Sequence, residues 1–220
     1  MSNKYKIVVF DLDGTLVNSL TDLANAVNAG LKKVGLPTHN VDAYKHFIGN
    51  GREMLVRRAM GKASEKEELF NIVHSTFDTE YKIHCNDNTS SYEGCEELLR
   101  KLNNADIKIG VLSNKPDEFV ADILNKVYPD IKFDMAWGKK KDMPSKPDKT
   151  SLLKMLEIAG FSNEDCLYVG DSNVDVYTAQ NANVDMLGVE WGFRDKSELL
   201  EAGAPIVVDT SEKIWEYINE

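Results

Sequence analysis

Four short polar clusters carry the residues able to do chemistry. Asp11-Leu12-Asp13-Gly14-Thr15 follows the apolar run Lys6 to Phe10, and Ser113-Asn114-Lys115 follows Ile107 to Leu112. Gly170-Asp171-Ser172 follows Cys166 to Val169, with Asp175 four residues beyond Asp171, and Lys146-Pro147-Asp148 stands just before a helical pattern. Gathered at one point, Asp11, Asp13, Asp171 and Asp175 crowd like charges, which raises their pKa values or demands a cation. A hard oxygen site with few carboxylates suits Mg²⁺, which keeps waters and accepts a substrate phosphate. Ser113 and Lys146 then grip the remaining phosphate oxygens, one by hydrogen bond and one by charge. The expected site is a phosphate pocket with a nucleophile in it.

Each cluster alone has a plainer reading. Asp-x-Asp after a strand is often a turn and a helix cap, Ser-Asn is a good loop sequence, and Lys146 is by default a surface lysine. Gly170-Asp171-Ser172 also suits a tight turn into a helix beginning near Val174. The weight lies in the combination, because in an open parallel sheet functional groups gather beyond the carboxyl ends of the strands.

The elements needed to hold such clusters are legible. Lys6 to Phe10 is short, β-branched and apolar, as suits a strand buried on both faces. Leu20, Leu23, Val27, Leu31 and Val34 recur at helical spacing, with Ser19 placed to cap and Gly35 to stop the helix. A short helix over Asp42 to Phe47, the loop Gly49-Asn50-Gly51, and helices over Arg52 to Met60 and Glu65 to Tyr81 follow. Beyond Asn88 the rhythm alternates. Strands are expected at Ile107 to Leu112, Phe133 to Trp137, Cys166 to Val169, Met186 to Val189 and Ile206 to Val208. Helices fall between them at Glu93 to Leu102, Pro116 to Val127, Thr150 to Ala159, Val174 to Ala182 and Lys196 to Ala202. The pattern predicts an α/β fold, a doubly wound and mostly parallel sheet over residues 1–16 and 86–220, with an all-helical cap inserted over 17–85.

Composition narrows the partners. The chain has 220 residues, 42% hydrophobic and 28% charged, with a net charge of −10 that argues against a nucleic acid. The run Ile7-Val8-Val9-Phe10 stops far short of a secretion signal, no stretch approaches a membrane span, and Cys85, Cys95 and Cys166 lack metal spacing. A cytoplasmic protein acting on a small molecule is expected, and its oligomeric state is left open.

In this order the clusters resemble the motifs of the haloacid dehalogenase superfamily, specifically its phosphatases with a helical cap of the C1 type after the first motif. The resemblance spans essentially the whole chain. It is closest to the phosphoglycolate phosphatase group through Ile48-Gly49-Asn50-Gly51, Leu55-Val56-Arg57-Arg58-Ala59 and Ser113-Asn114-Lys115-Pro116. Lys146-Pro147-Asp148, Tyr168-Val169-Gly170-Asp171-Ser172 and Trp191-Gly192-Phe193-Arg194 continue it. Lys149, Asn183 and Glu93 depart from the group's pattern, at positions without a catalytic role.

The resemblance implies a magnesium-dependent phosphatase working through a phosphoaspartate. Asp11 would be the nucleophile and Asp13 the general acid and base. The carboxylate of Asp11, the main-chain carbonyl of Asp13 and the carboxylate of Asp171 would hold Mg²⁺, supported by Asp175. Thr15, Ser113, Asn114 and Lys146 would line the phosphate. The loop Gly49-Asn50-Gly51-Arg52 offers open amides and a guanidinium to a small anionic leaving group, so 2-phosphoglycolate is a natural substrate to expect. A dehalogenase is disfavoured because Asp13 is present. The alternatives are a β-phosphoglucomutase-like phosphosugar mutase and a non-catalytic phosphate-binding regulatory protein.

Overall fold

The computed structural model describes residues 4–220. These divide into two compact units, one of residues 4–17 with Ser91–Glu220 and one of Asn18–Ser90.

The first unit is built on β1 (Ile7–Phe10), β4 (Lys108–Pro116), β5 (Met135–Lys139), β6 (Cys166–Gly170), β7 (Asp185–Val189) and β8 (Val207–Val208). They form one sheet in the order β5-β4-β1-β6-β7-β8, parallel at every pair. β1 lies between β4 and β6, where the order of connection reverses, and every residue of it is buried. Its pleat sends Val8 and Phe10 into one apolar cluster and Ile7 and Val9 into the other. The first cluster is closed by α4 (Cys95–Asn104), α5 (Asp117–Val127) and α9 (Ser211–Asn219), the second by α6 (Thr150–Ala159), α7 (Asn173–Ala182) and α8 (Lys196–Glu201). This is the doubly wound α/β architecture, with helices on both faces of a parallel sheet.

The structure alters two details of the expected core. β4 runs on to Pro116 instead of ending at Leu112, so Ser113, Asn114 and Lys115 belong to a strand. Its pairing with β5 is irregular between Leu112 and Pro116, and Asp117 Oδ1 accepts the Gly138 N–H at 2.8 Å just beyond. Helix α9 was not expected at all, yet Ile214 and Ile218 fill the first cluster from it.

The second unit holds α1 (Leu20–Lys33), α2 (Gly51–Met60) and α3 (Glu67–His84), with 3₁₀ turns at Val41–His46 and Gly61–Glu65. Short strands β2 (Val17–Asn18) and β3 (Ser90–Ser91) pair with each other. Ser19 stands at the N-cap of α1 without a side-chain cap bond, and Gly35, at φ +70°, ends the helix as the Leu36 N–H reaches Leu31 O at 2.9 Å. Asn28 ties the following segment down, pairing with the main chain of His39 at 2.9 and 3.0 Å and accepting the Tyr44 hydroxyl at 2.7 Å.

Candidate active site

The carboxyl ends of β1, β4 and β6 deliver the polar clusters to one edge of the sheet. Past β1 the Asp11 N–H still reaches Val169 O at 2.9 Å, so Asp11 is held in line with its strand. The chain then closes into a tight loop, in which the N–H groups of Leu16 and Val17 both bond Leu12 O at 3.0 Å and Gly14 N–H bonds Val17 O at 2.9 Å. Gly14 sits at φ +94°, and a Cβ there would lie 2.3 Å from Asp171 Oδ2. Gly192 is just as close from another side, at 2.4 Å. Side chains at either position would evict the Asp171 carboxylate.

Beyond β6, Ser172 caps α7 and Asp175 returns the favour, accepting the Ser172 hydroxyl at 2.6 Å and N–H at 3.1 Å through Oδ2. The bland reading of this segment and the functional one therefore hold together. The other oxygen of Asp175 accepts Lys146 Nζ at 2.7 Å and the Tyr168 hydroxyl at 3.1 Å. Lys146 Nζ also meets Asp11 Oδ1 at 2.8 Å. Its backbone is clamped by Asn114, whose amide accepts from Lys146 N at 2.8 Å and donates to Lys146 O at 3.1 Å. Asn114 thus stands behind the lysine.

Electrostatics follow from burial. Asp11, Asp171 and Asp175 are 8%, 2% and 0% exposed, and one ligand oxygen from each lies within 4.8 Å of the others. Burial pushes Asp11 up to about 7, opposed by Lys146 and reinforced by Asp175 and Asp13. Burial also lifts Asp171 well above the carboxylate range, with Asp175 and Asp11 adding to it and the Phe193 N–H and Lys146 pulling back. Burial works against the Lys146 ammonium, but the carboxylates of Asp11 and Asp175 outweigh it and keep the lysine well above its usual range. One lysine faces three carboxylates. The donor set is short of positive charge and rich in hard oxygen, which is the fit a divalent cation requires.

Of the remaining residues singled out in the sequence, Thr15 donates its hydroxyl to Asp171 Oδ1 at 3.2 Å, and the Ser113 hydroxyl accepts the Lys115 N–H at 3.2 Å. Asp13 is held by Lys115, whose Nζ lies 2.8 and 3.1 Å from its two carboxylate oxygens. Gly49 to Arg52 belong to the helical unit, where Arg52 bonds Asp78 at 3.0 Å and Asn50 Oδ1 accepts from Arg58 at 2.5 Å. Sequence reasoning missed Lys115 and Tyr168. Lys115 adjoins the Ser113-Asn114 cluster, but with the strand expected to end at Leu112 nothing local ties it to Asp13.

A parallel, doubly wound core with an acid-lysine cluster at its switch point is where a site for a phosphorylated ligand is expected. The sequence model of haloacid dehalogenase-like hydrolases matches residues 8–189, and the chain belongs to that family. It is 32% identical over 208 residues to the phosphoglycolate phosphatase of Pseudomonas fluorescens, covering 93% of this chain and 76% of that one. It is 31% identical to the phosphoglycolate phosphatase of Psychrobacter arcticus, with 97% and 95% covered. A solved structure from Lactobacillus delbrueckii subsp. bulgaricus, provisionally assigned as a phosphoglycolate phosphatase, superposes with a TM-score of 0.91 at 32% identity over 98% of both chains. Within the family the chain is a phosphatase-type enzyme resembling the phosphoglycolate phosphatases.

Proposed function

We propose that the protein is a Mg²⁺-dependent phosphomonoesterase acting through a phosphoaspartate at Asp11 on a small metabolite phosphate, with 2-phosphoglycolate the first candidate. The observation that carries this reading is the buried grouping of Asp11, Asp171 and Asp175 around a single lysine. The carboxylates of Asp11 and Asp171 and the main-chain carbonyl of Asp13 would hold the cation, which supplies charge for the phosphoryl oxygens and screens the carboxylates from them. Asp175, its oxygens engaged by Lys146, Tyr168 and Ser172, serves as the residue that positions Lys146.

An oxygen of Asp11 attacks phosphorus as the bridging P–O bond breaks, and the departing alkoxide takes a proton from Asp13. Water then attacks the phosphoaspartate, gives its proton to Asp13, and releases inorganic phosphate and the Asp11 carboxylate. Lys146 and Ser113 steady the phosphoryl oxygens in both steps. The loop Gly49-Asn50-Gly51-Arg52 recognises the leaving group. In support, Arg52 is half-exposed and its ion pair is with Asp78, itself 37% exposed, so the guanidinium is not locked into the helical unit. The three cysteines are free thiols, as a reducing cytoplasm allows, and no helix among the described residues is long and apolar enough to cross a membrane.

The test is phosphate release across a panel of metabolite phosphates with Mg²⁺ and with excess chelator. Turnover with Mg²⁺ that disappears in chelator is expected. Full activity in chelator overturns the reading, and isomerisation of a sugar phosphate without phosphate release would favour the mutase.

A further inference from the structure

Two lysines lie buried among acids in the first unit, and the reaction above employs one of them. Lys146 faces Asp11 and Asp175, on the side of the nucleophile. Lys115 faces Asp13, which the reading above makes the acid for the leaving group. Its side chain is 3% exposed and that of Asp13 13%. Burying a lysine costs side-chain entropy and hydration, and a buried ion pair is seldom more stable than an apolar pair of the same size. Phosphate already has Ser113 and Lys146. A second buried ammonium at this place therefore has another task.

The geometry narrows that task. Lys115 lies two residues beyond Ser113 on β4, so both project from one face of the strand, and their spacing is fixed by the Lys115 N–H bond to Ser113 Oγ at 3.2 Å. Both carboxylate oxygens of Asp13 sit on the ammonium, at 2.8 and 3.1 Å. This is how a lysine holds a carboxylate ligand. Asp13 is also the residue that must meet the bridging oxygen of the substrate, and it cannot do so with both oxygens turned onto Lys115.

We propose that Lys115 is the seat for an anionic leaving group, which the Asp13 carboxylate occupies in the substrate-free enzyme. This rests on the phosphatase reading above and extends it to the substrate class. A leaving group of the form O–CH₂–COO⁻ carries its carboxylate one carbon from the bridging oxygen. It settles on Lys115 in place of Asp13, and the displaced side chain turns to the bridging oxygen beside it. No covalent bond changes in the exchange, and one carboxylate replaces another on the same ammonium, so Lys115 keeps an anionic partner throughout. An uncharged leaving group cannot make the exchange and must break the Lys115–Asp13 pair without replacing it. Selection therefore rests partly on a penalty against the wrong substrate.

The experiment compares kcat/KM of the whole protein with Mg²⁺ on 2-phosphoglycolate and on ethyl phosphate, which lacks the carboxylate. Lys115→Met should shrink the preference for 2-phosphoglycolate by about 30-fold or more, and Lys115→Arg should restore part of it. Equal losses on both esters overturn the proposal. Should the Met variant fail to fold, Asp13→Asn decides the matter. It keeps the main-chain carbonyl but removes the Asp13 carboxylate from the ammonium. By titration calorimetry this slow variant should favour 2-phosphoglycolate over ethyl phosphate by about 5-fold more than the wild type does. An unchanged or smaller ratio contradicts the exchange. Release of phosphate from neither ester by the wild type sinks the phosphatase reading and this inference with it. Turnover of both with an unaltered preference in the Lys115 variants sinks this inference alone.

Discussion

Asp22 in the helical unit and Asp171 in the α/β unit are both 2% exposed, yet their surroundings are opposite. Asp22 is wrapped in donors, accepting the Asn88 N–H at 3.0 Å, the Asn88 amide at 2.8 Å, the Thr89 N–H at 2.9 Å and the Thr89 hydroxyl at 2.7 Å. It pins the end of the segment after α3, and its charge is answered in place. Asp171 receives the Thr15 hydroxyl and the Phe193 N–H, but it also faces Asp175 and Asp11, which add to its burial in opposing ionisation. A satisfied buried acid serves the fold. A crowded one stores unfavourable charge that a ligand must answer, as functional sites do at the expense of stability.

Replacing each acid should break this comparison in a different direction. Of the two buried acids compared, Asp171→Asn should have the larger effect, with kcat/KM falling on the order of 10³-fold through loss of several kcal/mol of transition-state stabilisation. The same variant should be more stable than the wild type in chelator at neutral pH. Asp171 and Asp11 have raised pKa values when folded, Asp11 to about 7 from 3.8. The native state then binds more protons than the unfolded state between those values, so stability present near pH 4 is lost as pH rises towards 7. The lowered acids Asp134, Asp165 and Asp185 act in the opposite sense, below that window. Thermal melts of the metal-free protein at pH 5 and pH 8 should show a smaller decline for Asp171→Asn. Identical declines would remove the charge-crowding argument.

Asp22→Ala should do the reverse and lower stability. Stripping the acceptor from four donors costs about 3 kcal/mol, which denaturant melts will register. A loss below about 1 kcal/mol would show that water replaces the carboxylate there. The smallest effect is expected for Arg52→Ala. Its pair with Asp78 is 48% and 37% exposed, so stability should move by less than about 1 kcal/mol. Recognition of the leaving group by this loop would cut kcat/KM about 10-fold for 2-phosphoglycolate, and less for an uncharged aryl phosphate. Parallel changes on the two substrates would make the loop only a turn.

Much of the α/β unit was readable because its signals are local. The uninterrupted apolar run of β1 suits a strand buried on both faces, Ser172-x-x-Asp175 is a capping box, and Asn183 takes the left-handed conformation its side chain tolerates, at φ +53°. What was missed depends on partners distant in sequence. Nothing beside Lys115 announces Asp13, 102 residues away, and nothing beside Tyr168 announces that its hydroxyl bonds Asp175 under Lys146. β4 continues past Leu112 through polar residues, which a search for apolar runs passes over. Helix α9 follows a two-residue strand and is itself only nine residues long, with Ile214, Trp215, Tyr217 and Ile218 as its apolar side chains and Thr210 as its N-cap residue.

The central claim is that Asp11 becomes covalently phosphorylated, and rapid quench during turnover of 2-phosphoglycolate tests it most directly. Borohydride reduces an acyl phosphate, so peptide mass spectrometry of the quenched, reduced enzyme should find the Asp11 side chain converted to homoserine. The conversion should require both substrate and Mg²⁺ and vanish in Asp11→Asn, which should also lose turnover by about 10⁴-fold or more. An unmodified Asp11 in an actively cycling enzyme, or turnover retained by Asp11→Asn, would contradict the account.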